Sequence, residues 1–201
     1  MPVPGKIKVA HSATFTIAPS VTATWDPNNK GANVTLSGGN LTAAASNFNA
    51  VKSTIGRDSG KYYWEIRIQT GSEWMAGFGT PSATLTNWIG SDAFGIGWYR
   101  TGGFWVNNTL QATYSAFTTG DILNFALDGD NDKVFIGKNG TWQNGGNPAT
   151  GVGAVWTLSP ATVIFAMFSN GQVPVTDAGT ANFGATPFAF AVPSGFGALY
   201  G

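Results

Sequence analysis

From Lys61 to Ile68 the chain alternates: Tyr62, Trp64, Ile66 and Ile68 share one side, and Tyr63, Glu65 and Arg67 share the other. A period of two is the mark of a strand with one face against a core, which leaves Glu65 and Arg67 expected on a solvated face. Leu123, Phe125 and Leu127 repeat the pattern, and Val134 with Ile136 continues it beyond Asp128-Gly129-Asp130-Asn131-Asp132. That acidic run cannot extend either strand. Asn139-Gly140 then supplies a tight-turn signal requiring positive φ, so Gly120–Trp142 is expected to form a β-meander.

Shorter segments fit around it. Asn33–Leu36 and Leu41–Ala45 are expected strands about Gly38-Gly39-Asn40, Met75–Thr80 is a Gly-flanked strand, and Phe94–Arg100 with Phe104–Asn107 forms a hairpin. Thr24–Gly31 is expected to be a turn cluster, Lys52, Arg57 and Asp58 a loop, and Pro81–Asp92 a long polar loop carrying Trp88 and Ile89. Val163–Phe168 is apolar at every position, as in a strand covered on both faces, and Thr180–Phe183 is the last expected strand. Pro187–Phe190 and Pro193–Phe196 form an aromatic tail expected to lie across the body. The reading is all-β: an antiparallel sandwich over residues 21–201, with an extended N-terminal arm at 1–20 that adds to a neighbouring sheet or serves assembly.

Composition sharpens this picture. The chain has 201 residues, 28 of them glycine, with 13% aromatic and only 10% charged residues, which suits many short strands and turns. Ten basic residues balance ten acidic ones without any basic run, so nucleic acid is not an expected partner. Nor is membrane insertion, since no apolar stretch reaches spanning length. The absence of cysteine excludes disulfides. With no signal peptide recognisable behind Lys6 and Lys8, an extracellular role is expected to come through particle assembly or lysis.

Catalytic chemistry has little footing. His11 is the only histidine and sits in the arm, remote from a nucleophile loop. Glu65 and Glu73 are the only glutamates, and no strand sets two carboxylates two residues apart, as a sandwich glycosidase would need. Asp128, Asp130 and Asp132 crowd hard oxygen ligands together and are weak calcium candidates; Lys133 stands where a helical calcium loop requires glycine. No cofactor is expected. Trp88, Trp105 and Trp142, with Asn87, Asn107, Asn108 and Asn144, are candidates for stacking on and hydrogen-bonding to a sugar.

Gly60-Lys61-Tyr62-Tyr63-Trp64-Glu65, Gly77-Phe78-Gly79, Gly95-Ile96-Gly97-Trp98, the Leu127-Asp128 to Lys138-Asn139-Gly140 hairpin, and Asn182-Phe183-Gly184 with Pro187-Phe188 occur in one order. In that order, over about Thr22 to Phe190, they resemble a SPRY domain. The resemblance implies a bent sandwich of the concanavalin A-like jelly-roll kind and non-enzymatic recognition of proteins through loops at one end. It places the partner surface at Asp26, Asn28, Asn29 and Lys30, at Thr86, Asn87 and Trp88, and at Phe168, Ser169 and Asn170. Where peptide-binding members carry a basic residue and a tyrosine, this chain has Asn29-Lys30 and Trp88, so the family's peptide ligands are not carried over.

The Ala-, Gly-, Thr- and Asn-rich style further resembles SPRY-like proteins of bacteriophage particles. That likeness implies a virion structural protein, as a head decoration or a tail fibre or baseplate component, bound to other virion proteins as a homo-oligomer, a trimer by symmetry, and meeting a host-surface glycan or protein. A free glycan- or peptide-binding adhesin-like module is the alternative, and a sandwich hydrolase the third reading.

Overall fold

The computed structural model describes residues 21–200; the expected arm and His11 lie outside them. Sixteen strands follow in chain order. They begin with β1 (Trp25–Lys30), β2 (Val34–Ser37), β3 (Thr42–Ser46), β4 (Ala50–Arg57), β5 (Lys61–Ile68), β6 (Trp74–Gly79), β7 (Gly95–Tyr99) and β8 (Gly103–Val106). The rest are β9 (Thr109–Thr113), β10 (Ile122–Asp128), β11 (Lys133–Lys138), β12 (Thr141–Trp142), β13 (Trp156–Thr157), β14 (Ile164–Asn170), β15 (Thr176–Asn182) and β16 (Gly197–Ala198). One sheet runs β1-β4-β14-β6-β7-β8-β9, and the other runs β12-β11-β10-β5-β15-β3-β2, with β13 beside β11 and β16 beside β5. Every strand pairing is antiparallel except that of β16 with β5. No helix among the described residues is long and apolar enough to cross a membrane.

The alternation of β5 and β10 sets the register. Phe125 pairs with Trp64 on one side and Ile136 on the other, so one apolar face runs unbroken through three strands. A slip by one residue would turn that whole face outward. Its rings meet the other sheet at Phe78, where Trp64, Phe78 and Phe125 have centroids 5.4 to 5.7 Å apart. Fully buried Trp25, Trp98, Phe104 and Phe168 fill the same interior from the first sheet.

Both outer faces are covered as well, and here two expectations change. Tyr63 and Glu65, on the side of β5 away from the core, are 0% and 3% exposed. The C-terminal segment lies over them: the Phe188 ring meets Tyr63 edge-on at 4.8 Å, and the amides of Ala189 and Phe190 donate to the Glu65 carboxylate at 2.9 Å each. Tyr63 Oη donates to the same carboxylate at 2.7 Å and accepts from Asn124 at 2.8 Å; burial, reinforced by Glu65, pushes this phenol well above its ordinary range. Glu65 is thus an anchor for the tail. Lys52 and Arg57 belong to β4 rather than to a loop, because Lys52 pairs with Met167 and Arg57 with Ile164 of β14.

Candidate partner-binding site

The two Gly-x-Gly stretches face each other across the first sheet, with Gly77 opposite Gly97 and Gly79 opposite Gly95. Four positions on the outer face therefore carry no side chain, and residues 81–92 use that space. A Cβ at Gly97 would lie 2.1 Å from the Ile89 carbonyl oxygen, and one at Gly95 would lie 2.9 Å from the Gly90 nitrogen. Ala83 and Ile89 are buried in a small apolar cluster with Ala50, Met75 and Met167, separate from the main interior.

Polar bonds hold this loop at each stage. The Asp92 carboxylate accepts from the amides of Thr84, Phe94 and Gly95 at 2.8 to 2.9 Å. The Leu85 carbonyl accepts from Ala50 at 3.0 Å, the Ile89 amide donates to Ser169 Oγ at 3.3 Å, and the Gly90 carbonyl accepts from Asn108 at 2.7 Å. Lys52, 4% exposed, reaches up from β4 to donate to the Pro81 carbonyl at 2.6 Å. Burial pulls its ammonium below the ordinary lysine range, against the opposing pull of Asp92.

Where this loop meets β7 and β8, the outer face opens into a cavity of about 240 Å³ lined by Met75, Trp88, Tyr99, Trp105, Asn108 and Gly171. Trp88 and Trp105 stand at 81° to one another with centroids 5.7 Å apart. Tyr99 continues the outward face begun by Gly95 and Gly97, so the bare floor ends in an aromatic wall. Its hydroxyl donates to Glu73, whose other oxygen takes Arg100 Nη2 at 3.0 Å. Against Gly71 lies the wholly buried Asp177, accepting from the amides of Ser72 and Glu73 at 2.8 and 2.9 Å and from the Asn170 side chain. Burial raises its pKa, and those three hydrogen bonds oppose the rise.

The residues expected from sequence divide sharply. Thr86 and Asn87 are exposed at the top of the loop and Trp88 is half-buried at the cavity edge. Asp26, Asn28, Asn29 and Lys30 lie on β1, where Trp25 to Lys30 pairs against only Ser53 to Val51, so Pro27, Asn28 and Asn29 are pushed outward as a bulge. The turn cluster expected there is this bulge. Asp26 stiffens it by accepting from Asn28 and Asn29, while Lys30 Nζ is taken by the Val34 carbonyl at 2.8 Å. Gly31 abuts the Leu85 carbonyl, so bulge and loop form one surface.

Phe168, Ser169 and Asn170 do not belong to that surface. They end β14, and all three are 0% exposed. Phe168 packs on Trp25, Ser169 holds Ile89, and Asn170 joins Phe48 to Asp177. Of the aromatic and amide candidates, Trp88, Trp105 and Asn108 converge at the cavity. Trp142 packs instead on Tyr63 and Phe135 of the other sheet, and Asn144 binds the Ala154 carbonyl.

The acidic turn is also spent on structure. Asp128 is buried, ion-paired to Lys61 at 2.9 Å, and receives Asn131; Asp130 accepts from the Gly60 amide at 2.7 Å. Among the described residues no group of three or more His, Cys, Asp or Glu is placed to hold a metal ion, Asp132 included. Glu65 and Glu73 stand on different faces of the body, each bound to its own partners.

Sequence reasoning missed Met75, Tyr99, Lys52, Asp92 and Asp177. Tyr99 was open to detection, since positions 95, 97 and 99 share one strand face and read Gly, Gly, Tyr.

A two-sheet sandwich with a loop-built aromatic depression on one outer face is the build of a β-sandwich binding module. The SPRY domain family model matches residues 61–184, well over half of the chain, and the protein belongs to the SPRY family, whose domains are protein-binding modules. Over 89 residues, 44% of this chain, it is 36% identical to the ATP-dependent RNA helicase DDX1 of Xenopus laevis, and the match spans 12% of that relative. The crystal structure of the SPRY domain of human HERC1 is similar in fold, with a TM-score of 0.65 at 16% identity over 81% of this chain and 99% of that one.

Proposed function

We propose that this SPRY domain docks a partner protein on the surface formed by the β1 bulge, residues 81–92 and the cavity between Trp88, Tyr99 and Trp105. The observation that carries this is the half-buried, perpendicular pair Trp88 and Trp105, set on a floor held rigid from below. Large rings that bury much area with little loss of side-chain freedom are the usual anchors of protein interfaces.

The test is selection of binders from a displayed random-peptide library by the full chain, repeated with Trp88→Ala and Trp105→Ala. Both rings are half-buried against the Met75 and Met167 cluster, so each variant is expected to lower the denaturation midpoint and is assayed at a temperature where it is fully folded. Peptides that bind the parent and lose at least about tenfold with either variant support the reading, as expected for anchor residues. No enrichment, or binders indifferent to both changes, would overturn it. The convergence of Trp88, Trp105 and Asn108 also favours a glycan reading, which a glycan array run with the same variants separates from the first.

For the setting, we propose a bacteriophage virion, with the domain displayed on head or tail as a cyclic trimer and turned toward the host surface. The low-charge composition rich in Ala, Gly, Thr and Asn supports this. Its test is mass spectrometry of purified particles of the encoding virus, with light scattering of the isolated chain. Absence from particles would remove the setting, and a strict monomer would remove the trimer, without touching the binding reading.

A further inference from the structure

We propose that the cavity bounded by Met75, Trp88, Tyr99 and Trp105 is an aromatic cage for a methylated ammonium group, the end of a trimethylated lysine on the partner protein. The inference rests on reading this cavity as the partner site and deepens it by naming the chemistry recognised. Three aromatic side chains and a thioether line a space of about 240 Å³, enough for one side chain. Two of the rings stand at 81° to each other, the arrangement of two walls of a box. Ring faces carry negative quadrupole charge and attract a cation held over them, most strongly when the ring is tryptophan.

The surrounding charges agree. No lysine or arginine lines the cavity. Arg100 does not line it: its guanidinium, paired with Glu73, stands 5.8 Å from the Tyr99 ring centroid and opens onto a separate depression with Ser72, Thr101 and Thr118, so among the described residues Trp88 and Trp105 are the two rings of the cavity with no cation over them. The Tyr99 hydroxyl donates to the Glu73 carboxylate, which enriches the electron density of that ring. The lining carries no carboxylate either. An unmodified ammonium, strongly hydrated and with three N–H donors, would shed water there for at most the Asn108 amide oxygen and no carboxylate. Methylation removes the donors and keeps the charge.

A peptide is favoured as the bearer by Asn108 at the rim. Its amide N–H is used by Gly90, whereas its side chain has no hydrogen-bond partner among the described residues and is exposed, free to pair with a main-chain group beside the inserted side chain.

The experiment titrates the full chain, followed by tryptophan fluorescence and by the indole N–H resonances of Trp88 and Trp105, with three capped Gly-Xaa-Gly peptides. Xaa is trimethyl-lysine, lysine, or the neutral isostere in which a tert-butyl group replaces trimethylammonium; phosphocholine is a fourth probe. The trimethyl-lysine peptide is expected to bind about tenfold more tightly than its uncharged isostere, the ratio a desolvated cation–π contact confers, and more tightly than lysine. Trp105→Leu, assayed at a temperature where it is fully folded, is expected to abolish most of that ratio. Equal binding of the isostere, preference for unmodified lysine, or no binding of any peptide would overturn the cage. Phosphocholine binding as tightly as the peptide would overturn the protein source. Equal binding of the isostere alongside Trp88-dependent library peptides would leave the docking surface standing and remove only the cation.

Discussion

Replacing Glu65 with glutamine changes one atom and should release the C-terminal tail. Glu65 Oε1 accepts from Tyr63 Oη at 2.7 Å and Phe190 N at 2.9 Å, while Oε2 accepts from Ala189 N at 2.9 Å. Glutamine has one acceptor oxygen. Set at the doubly used position, it points its NH₂ group at the Ala189 amide, donor against donor; reversed, it loses two bonds instead of one. The better choice still sacrifices one charge-assisted bond in a site 3% exposed. Bonds to charged groups are worth about 1.5–3 kcal/mol, so a loss of about 2 kcal/mol is expected. For a domain of this size that lowers the thermal midpoint by about 4–8 °C.

Two measurements check this: thermal denaturation, and hydrogen exchange at Ala189 and Phe190, which should speed up before global unfolding because both amides donate to this one carboxylate. Glu65→Ala, which strands all three donors, should cost more. A Glu65→Gln protein with the parent's midpoint and undiminished protection at both amides would refute the account of Glu65 as the tail's anchor. Any change in activity with this variant has to be read against that loss of stability.

Three further outcomes follow from the same geometry. Gly97→Ala puts a methyl group on the Ile89 carbonyl and should lift residues 81–92, at a cost of about 1–3 kcal/mol by denaturant titration and with loss of library-peptide binding; an unperturbed loop would contradict the packing. Burial raises the Asp177 pKa above the ordinary carboxylate value of 3.8, so the folded protein keeps that proton to higher pH than the unfolded chain does. The stability of the parent relative to Asp177→Asn should therefore fall as pH rises from about 3.8 through the raised pKa and be level above it; denaturation midpoints across that range would expose the opposite slope. Millimolar calcium should leave the thermal midpoint unchanged, because Asp128 is held by Lys61 and Asn131; a clear rise would show that the acidic turn binds the ion after all.

What the sequence disclosed follows from which interactions are local. The alternation at Lys61–Ile68 matches β5 at both ends, and Asn139-Gly140 forms its turn with φ of 50° and 79°. The Gly-x-Gly strands were visible; their reason was not, since the loop that lies on them is brought there by sheet order. Glu65 and Tyr63 read as an outward face because β5 does turn them away from the core, and the return of residues 188–190, with Trp142 beside Tyr63, buries them. Phe168, Ser169 and Asn170 were expected at the partner surface because their apolar strand was taken to end at Phe168, whereas β14 runs on to Asn170. Nothing local to Asn170 announces a buried partner at Asp177. At the site, Trp88 was legible as a large ring in a polar loop, but its pairing with Trp105 required residues 81–92 to lie back over the expected β7–β8 hairpin.

Thr22 and Tyr200 form an antiparallel bridge, and the Ala23 amide donates to Leu199 at 3.1 Å. Entry and exit of the polypeptide thus share one doorway. A unit closed in this way can be spliced into a surface loop of another protein without prising the host apart, and it can be cut and rejoined elsewhere with its ends fused. Evolution, or a designer, can thus move it between architectures as a self-contained cassette.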